Sequence, residues 1–182
     1  GGFPGSDNPA QAPVSFSEIA TALSDSLDRQ FPSDSGVRII AEPGRYFVCA
    51  SHTEACGIIS RRVMPNGKED ENEKEVVSYY INDGVYGSFN CTLYDHVEVF
   101  PQVLTSNVNT NLSEKIPSTV WGPTCDSMDK VATCALPKLD VGDWLIFEDM
   151  GAYTCCASSN FNGFAKPTSR YIFSVPPDFD IT

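Results

Sequence analysis

Val37-Arg38-Ile39-Ile40-Ala41-Glu42-Pro43-Gly44-Arg45 is the stretch on which the architecture turns. Its first five residues form a β-branched-rich run of strand length, introduced by the turn Asp34-Ser35-Gly36, and read as a buried strand. Upstream, Phe16, Ile19, Ala20, Leu23, Leu27 and Phe31 recur at spacings of three and four, the stripe of an amphipathic helix that stops at Phe31-Pro32-Ser33. A helix followed by a strand is half of an α/β repeat. In parallel α/β barrels chemistry gathers where strands end, so Glu42 and Arg45 around a Pro-Gly turn are candidate site residues. Taken alone, they read equally well as a surface ion pair beside a turn.

Downstream of about Cys56 the pattern changes to short segments separated by Gly, Pro, Asn and Asp. Gly57–Ser60, Val76–Ile81, Val97–Phe100, Trp144–Phe147 and Tyr171–Val175 are aromatic-rich or β-branched-rich strand candidates, spaced as in an all-β sandwich or barrel. The expected fold class is therefore α/β plus all-β. The charged run Lys68–Glu75 between two of these candidates reads as a solvated loop.

Composition narrows the function. The 182 residues suffice for one full core, or for one domain and part of another. A formal charge of −12 opposes binding to nucleic acid or to an anionic membrane, both of which demand a basic surface, and leaves cationic small molecules as partners. No stretch reaches the ~18–20 apolar residues of a membrane span. Residues 1–11 have neither the basic start nor the apolar run of a secretory signal, so a cytoplasmic location is expected. Seven cysteines, with no CxxC pair and two histidines, argue against a disulfide framework and against a metal site. Most of the thiols are expected to be small buried hydrophobes in a reducing compartment. The opening Gly1-Gly2-Phe3-Pro4-Gly5 has no methionine and reads as a truncation point within a glycine-rich turn.

Several separated motifs carry a resemblance: Gly1–Gly5, Glu42-Pro43-Gly44-Arg45-Tyr46, Asn82–Asn90 through Tyr94-Asp95-His96, Trp121–Asp129 and Met150-Gly151-Ala152-Tyr153-Thr154. In this order they resemble the fold-III, pyridoxal-phosphate-dependent amino-acid decarboxylases of the ornithine decarboxylase type. The resemblance implies the tail of a (β/α)8 cofactor-binding barrel, residues 1–54, followed by a C-terminal β-sandwich or Greek-key barrel domain, residues 55–182. It also implies a head-to-tail homodimer with shared active sites, and antizyme as a further protein partner.

The same resemblance assigns roles. Glu42 would face the cofactor's ring nitrogen, where a carboxylate favours the protonated form. Gly1, Gly2, Arg45 and Tyr153 resemble a phosphate cradle, since glycine permits close backbone approach while guanidinium and phenol donate. Asp95 and Asp126 would meet the distal ammonium of a diamino acid, and Tyr86, Tyr94 and Phe161, with Asn162, resemble the pocket wall. Cys125 is the implied proton donor to Cα, a general-acid role for a thiol with an accessible proton.

The implied activity is decarboxylation of L-ornithine to putrescine, with the ornithine-or-lysine preference left open. None of the chain's lysines lies in a motif resembling the site that bonds the cofactor, so this polypeptide alone is expected to be inactive. Two alternatives stand beside it. One is a catalytically inactive, antizyme-inhibitor-type regulator; the other is a sister decarboxylase for lysine, arginine or diaminopimelate.

Overall fold

The computed structural model describes residues 1–6, 8–9, 11–64, 75–104 and 110–172. The predicted helix is present as α1 (Phe16–Gln30). Its start is fixed locally: the Ser15 hydroxyl accepts from Glu18 N at 3.2 Å, and the Glu18 carboxylate accepts from Ser15 N at 2.9 Å. No α1 residue is buried. Only Phe16 finds ring partners, Tyr46 at 4.3 Å and Phe3 at 5.6 Å.

The buried strand expected over Val37–Ala41 does not form. These residues are exposed and belong to no ladder, and Ile40 is 67% exposed. A strand exists only through a neighbour that takes its N–H and C=O groups, and among the described residues none pairs with this segment. The barrel expected over residues 1–54 is thus represented by α1, this extended run and a short helix α2 (Gly44–Val48).

The remainder is a six-stranded mixed sheet. In chain order it comprises β1 (Glu54–Met64), β2 (Val76–Ile81), β3 (Gln102–Leu104), β4 (Ile116–Trp121), β5 (Lys130–Leu136) and β6 (Trp144–Phe147), arranged β3-β6-β1-β2-β4-β5. All neighbours are antiparallel except β2 and β4. A parallel pair needs a crossover; here it runs through helix α3 (Asn90–Tyr94) and β3. β1 curls the sheet. Its first residues pair with β6, from Glu54↔Phe147 to Gly57↔Trp144, and from Ile58 onward it pairs with β2, with a register shift between Ile58 and Ser60. The expected sandwich or Greek-key barrel is represented by this one curled sheet.

Of the remaining strand candidates, Val97–Phe100 is irregular, with β3 beginning just beyond it, and Tyr171 and Ile172 are exposed without strand structure. Residues 173–175 of that candidate and 68–74 of the charged run lie outside the described residues. β4 and β5 are not among the candidates; in β4, Pro117, Ser118 and Thr119 dilute the apolar signal. Pro117 is tolerated because the β2–β4 ladder begins only at Val77↔Ser118.

The core lies beneath the sheet, built from Ile58, Val77, Tyr79, Ile81, Val120, Leu145 and Phe147 with Phe89 packed edge-on to Phe147 at 4.8 Å. The buried Tyr79 hydroxyl donates to Pro137 O at 3.1 Å and accepts from Leu139 N at 2.9 Å. All the cysteines are free thiols. The expectation that most of them are buried fails: Cys49, Cys56 and Cys91 are buried and Cys134 is half-buried, but Cys125, Cys155 and Cys156 are exposed, being carried on irregular loops rather than on the sheet.

Candidate active site

The sequence-nominated residues fall into two clusters. The first gathers around α2. Gly44 N donates to Glu42 O at 3.0 Å, closing the Pro43-Gly44 turn that turns Arg45 inward while Glu42 stays exposed, its carboxylate without a partner among the described residues. The N-terminal segment runs alongside: a Cβ on Gly1 would stand 3.0 Å from Glu42 O, and one on Gly5 would stand 2.6 Å from Arg45 O. Gly2 has φ +82°, a conformation suited to glycine.

Arg45 Nη1 lies 2.5 Å from Asp95 Oδ2, and its guanidinium stands 5.0 Å over the Tyr153 ring. The loop bearing Tyr153 is pinned to the same turn. Gly151 N donates to Cys49 O at 2.8 Å, Met150 N to His52 O at 2.9 Å, and Ser6 Oγ to Asp149 Oδ2 at 2.5 Å. A side chain at Gly151 is excluded, since its Cβ would fall 1.5 Å from Val48 O. Tyr153 itself has φ +58°, a left-handed conformation that costs a non-glycine residue about 1–2 kcal/mol.

This arrangement fits a phosphate-bearing cofactor. A guanidinium, an exposed phenol and closely approached glycine backbone converge there, and the exposed Glu42 carboxylate lies on the adjoining turn. Burial pushes up the thiols of Cys49 and Cys91 near the Arg45–Asp95 pair, so both stay protonated.

The second cluster holds Cys125 and Asp126. The Tyr86 hydroxyl donates to Asp126 Oδ2 at 2.5 Å, and the Tyr86 ring stacks on Phe161 at 4.3 Å. That hydrogen bond, with the adjacent negative charge, pushes the Tyr86 phenol up to about 12. Met128 N, donating to Asp126 Oδ1 at 2.9 Å, and then Tyr86 hold the Asp126 carboxyl below its ordinary range. Asn162 Nδ2 lies 3.5 Å from the exposed Cys125 Sγ. Tyr94 is exposed at the end of α3. The structure therefore brings Arg45, Asp95 and Tyr153 together, and separately Cys125, Asp126, Tyr86 and Phe161; no hydrogen bond, ion pair or ring contact joins Asp95 to Asp126.

Buried polar residues inside the motifs, to which no role had been given, build the frame. Asp129 is fully buried and accepts from Val85 N at 2.8 Å, Thr124 N at 3.0 Å and Thr124 Oγ1 at 2.7 Å, tying the Tyr86 turn to the Cys125 loop. Asn90 donates to Val85 O at 2.6 Å and Gly87 O at 3.2 Å, and accepts from Ala157 N at 2.7 Å, so the Tyr86 turn also holds the loop after Tyr153. Glu54 is pushed up to about 7, first by burial and then by the charge of Asp83. The signal available for Asn90 and Asp129 was a polar residue among apolar neighbours at the edge of a motif. Nothing local marks such a residue as buried.

Residues 46–151 match the C-terminal sheet domain of the pyridoxal-dependent decarboxylases, and residues 1–49 match their pyridoxal binding domain. The chain is 48% identical over 179 residues to ornithine decarboxylase of Cricetulus griseus, covering 97% of this chain and 38% of that protein. Antizyme inhibitor 2 of Xenopus laevis is 44% identical over 175 residues, covering 94% and 37% respectively. Among solved structures, the lysine/ornithine decarboxylase of Vibrio vulnificus complexed with cadaverine superposes with TM-score 0.65 at 30% identity, over 84% of this chain and 38% of that one. The Paramecium bursaria Chlorella virus arginine decarboxylase bound to agmatine gives TM-score 0.67 at 33% identity, over 81% and 37%. The chain spans less than two fifths of the length of these relatives. With matches across both cofactor and sheet regions, and a turn around Arg45 and Tyr153 fit for phosphate, the chain belongs to the pyridoxal-dependent decarboxylase family, whose cofactor is pyridoxal phosphate.

Proposed function

We propose that the protein carrying this chain decarboxylates L-ornithine to putrescine in the cytoplasm, as a homodimer with shared sites. Residues 1–54 would be the last part of its cofactor barrel and residues 55–182 its C-terminal β domain, closed as a sandwich or Greek-key barrel. The observation that carries the reading is the convergence of Arg45 and Tyr153, from widely separated segments of the chain, beside the N-terminal glycines.

Bound pyridoxal phosphate supplies the sink for the electrons left on Cα when carbon dioxide departs. Glu42 would favour the protonated ring nitrogen, and Gly1, Gly2, Arg45 and Tyr153 would hold the phosphate. Asp95 and Asp126 select a distal ammonium, with Tyr86, Tyr94 and Phe161 walling the pocket. Cys125, exposed beside Asn162, delivers the proton to Cα. That no hydrogen bond, ion pair or ring contact joins Asp95 to Asp126 suits a site completed across a dimer, one subunit giving the Arg45 platform and the other the Cys125–Asp126 loop.

The second reading is an inactive regulator that works through antizyme, favoured by the similarity to antizyme inhibitor 2. Release of labelled carbon dioxide from ornithine and from lysine, by the full polypeptide with cofactor added, separates the two. Turnover of ornithine that falls by about 10²–10⁴-fold in Cys125→Ala supports the enzyme and the proton donor together. A folded dimer that turns over neither substrate leaves the regulator in front.

A further inference from the structure

Arg45 lies on α2 and Asp95 caps the C-terminus of α3, and their side chains meet with only 20% and 25% exposed. Asp95 Oδ2 is buried and receives no directed hydrogen bond from the described residues, although Arg45 Nη1 stands 2.5 Å away. The ion pair is set by distance while the N–H vectors miss the oxygen. The contact therefore compensates charge without satisfying the carboxylate's hydrogen-bonding capacity. Arg45 itself is stacked on Tyr153, whose loop is held by Gly151 and Met150 against the α2 turn. The guanidinium is thus fixed in place, and what can change is the anion it faces. A pocket lined by Gly5, Ser6, Arg45, Cys49 and Asp149 opens beside it.

We propose that Asp95 is a stand-in anion on Arg45. An incoming cofactor phosphate displaces the carboxylate, and the released carboxylate then becomes available to an ammonium. This rests on the decarboxylase reading and adds to it a coupling: phosphate and diamine each strengthen the other's binding, because each takes one partner of the same pair. Reciprocity is a thermodynamic necessity once both ligands draw on one equilibrium. The exchange also restores a directed partner to Oδ2.

Inorganic phosphate and putrescine are the probes, titrated calorimetrically into the full polypeptide with cofactor removed. Asp95→Asn, which frees Arg45, is expected to tighten phosphate binding by on the order of tenfold. Asp140→Asn removes the same charge from the exposed pair with Arg61 and is expected to change it less than about twofold. Phosphate binding that is unchanged or weaker in Asp95→Asn overturns the proposal and makes Asp95 a support that orients Arg45 toward the anion. The unmutated protein gives a second arm that does not depend on the variant's folding. There phosphate should raise putrescine affinity by the same factor as putrescine raises that of phosphate, and the absence of such coupling is equally fatal. A protein that turns over ornithine without this coupling loses the exchange and keeps its function. One that binds no pyridoxal phosphate loses the function, and the exchange with it.

Discussion

Ile58 and Ile40 are the same residue in equally apolar company, yet Ile58 is 2% exposed and Ile40 is 67% exposed. The first lies in β1, shared between β6 and β2; the second lies in a run with no ladder partner among the described residues. The same contrast separates the whole region before residue 54 from the sheet that follows. α1 is a well-capped amphipathic helix with nothing buried, whereas the sheet closes over a core of fully buried side chains. An apolar pattern states what a segment can bury. Whether it does so depends on a partner elsewhere in the chain, and the free energy resides in the burial.

The largest expected effect tests that contrast where it is strongest. Phe147→Ala removes a fully buried ring packed on Phe89 and should cost about 4 kcal/mol in urea unfolding. A cost near that of a surface change would show that the sheet is not the stable part of the molecule.

Glu54 sharpens the comparison from inside the sheet. Its carboxyl is pushed up to about 7, first by partial burial and then by the charge of Asp83, so between the ordinary 4.5 and that value the folded state holds a proton that the unfolded chain has already lost. Stability therefore falls as pH rises from about 4.5 through 7, and is undiminished by this group below that window. Glu54→Gln should raise the melting temperature at pH 8 and leave it nearly unchanged at pH 4; an equal shift at both would mean that the carboxyl is not the cause. At the other extreme, Ile40→Ala should change unfolding of this chain by less than about 0.5 kcal/mol. A loss of several kcal/mol would reveal a packing partner for the 37–41 run.

Local signals were the legible ones. The three-and-four spacing from Phe16 to Phe31, closed by Ser15 and Glu18, gave the helix because every contact involved is within one turn. Val76–Ile81 and Trp144–Phe147 were read correctly as strands because both are short, apolar and bounded by breakers. Val37–Ala41 has the same composition and failed, and β4 lacks it and succeeded, because strand formation is decided across the ladder. The candidate site divides in the same way. Residue types and motif order pointed to Arg45, Asp95, Cys125, Asp126 and Tyr153, but not to their pairings, nor to Asn90 and Asp129 as the buried frame.

The sequence by itself determined the family, the chemistry on offer and the segments able to form helix or strand, because these depend on residue identity and short spacing. Only the tertiary structure decided that Asp95 faces Arg45, that Asp126 accepts from Tyr86, and that Ile40 stays in water while Ile58 does not. Electrostatic pairing, hydrogen bonding and burial all act through a few ångströms of space, and chain separation carries no record of which distant groups the fold will bring within that reach.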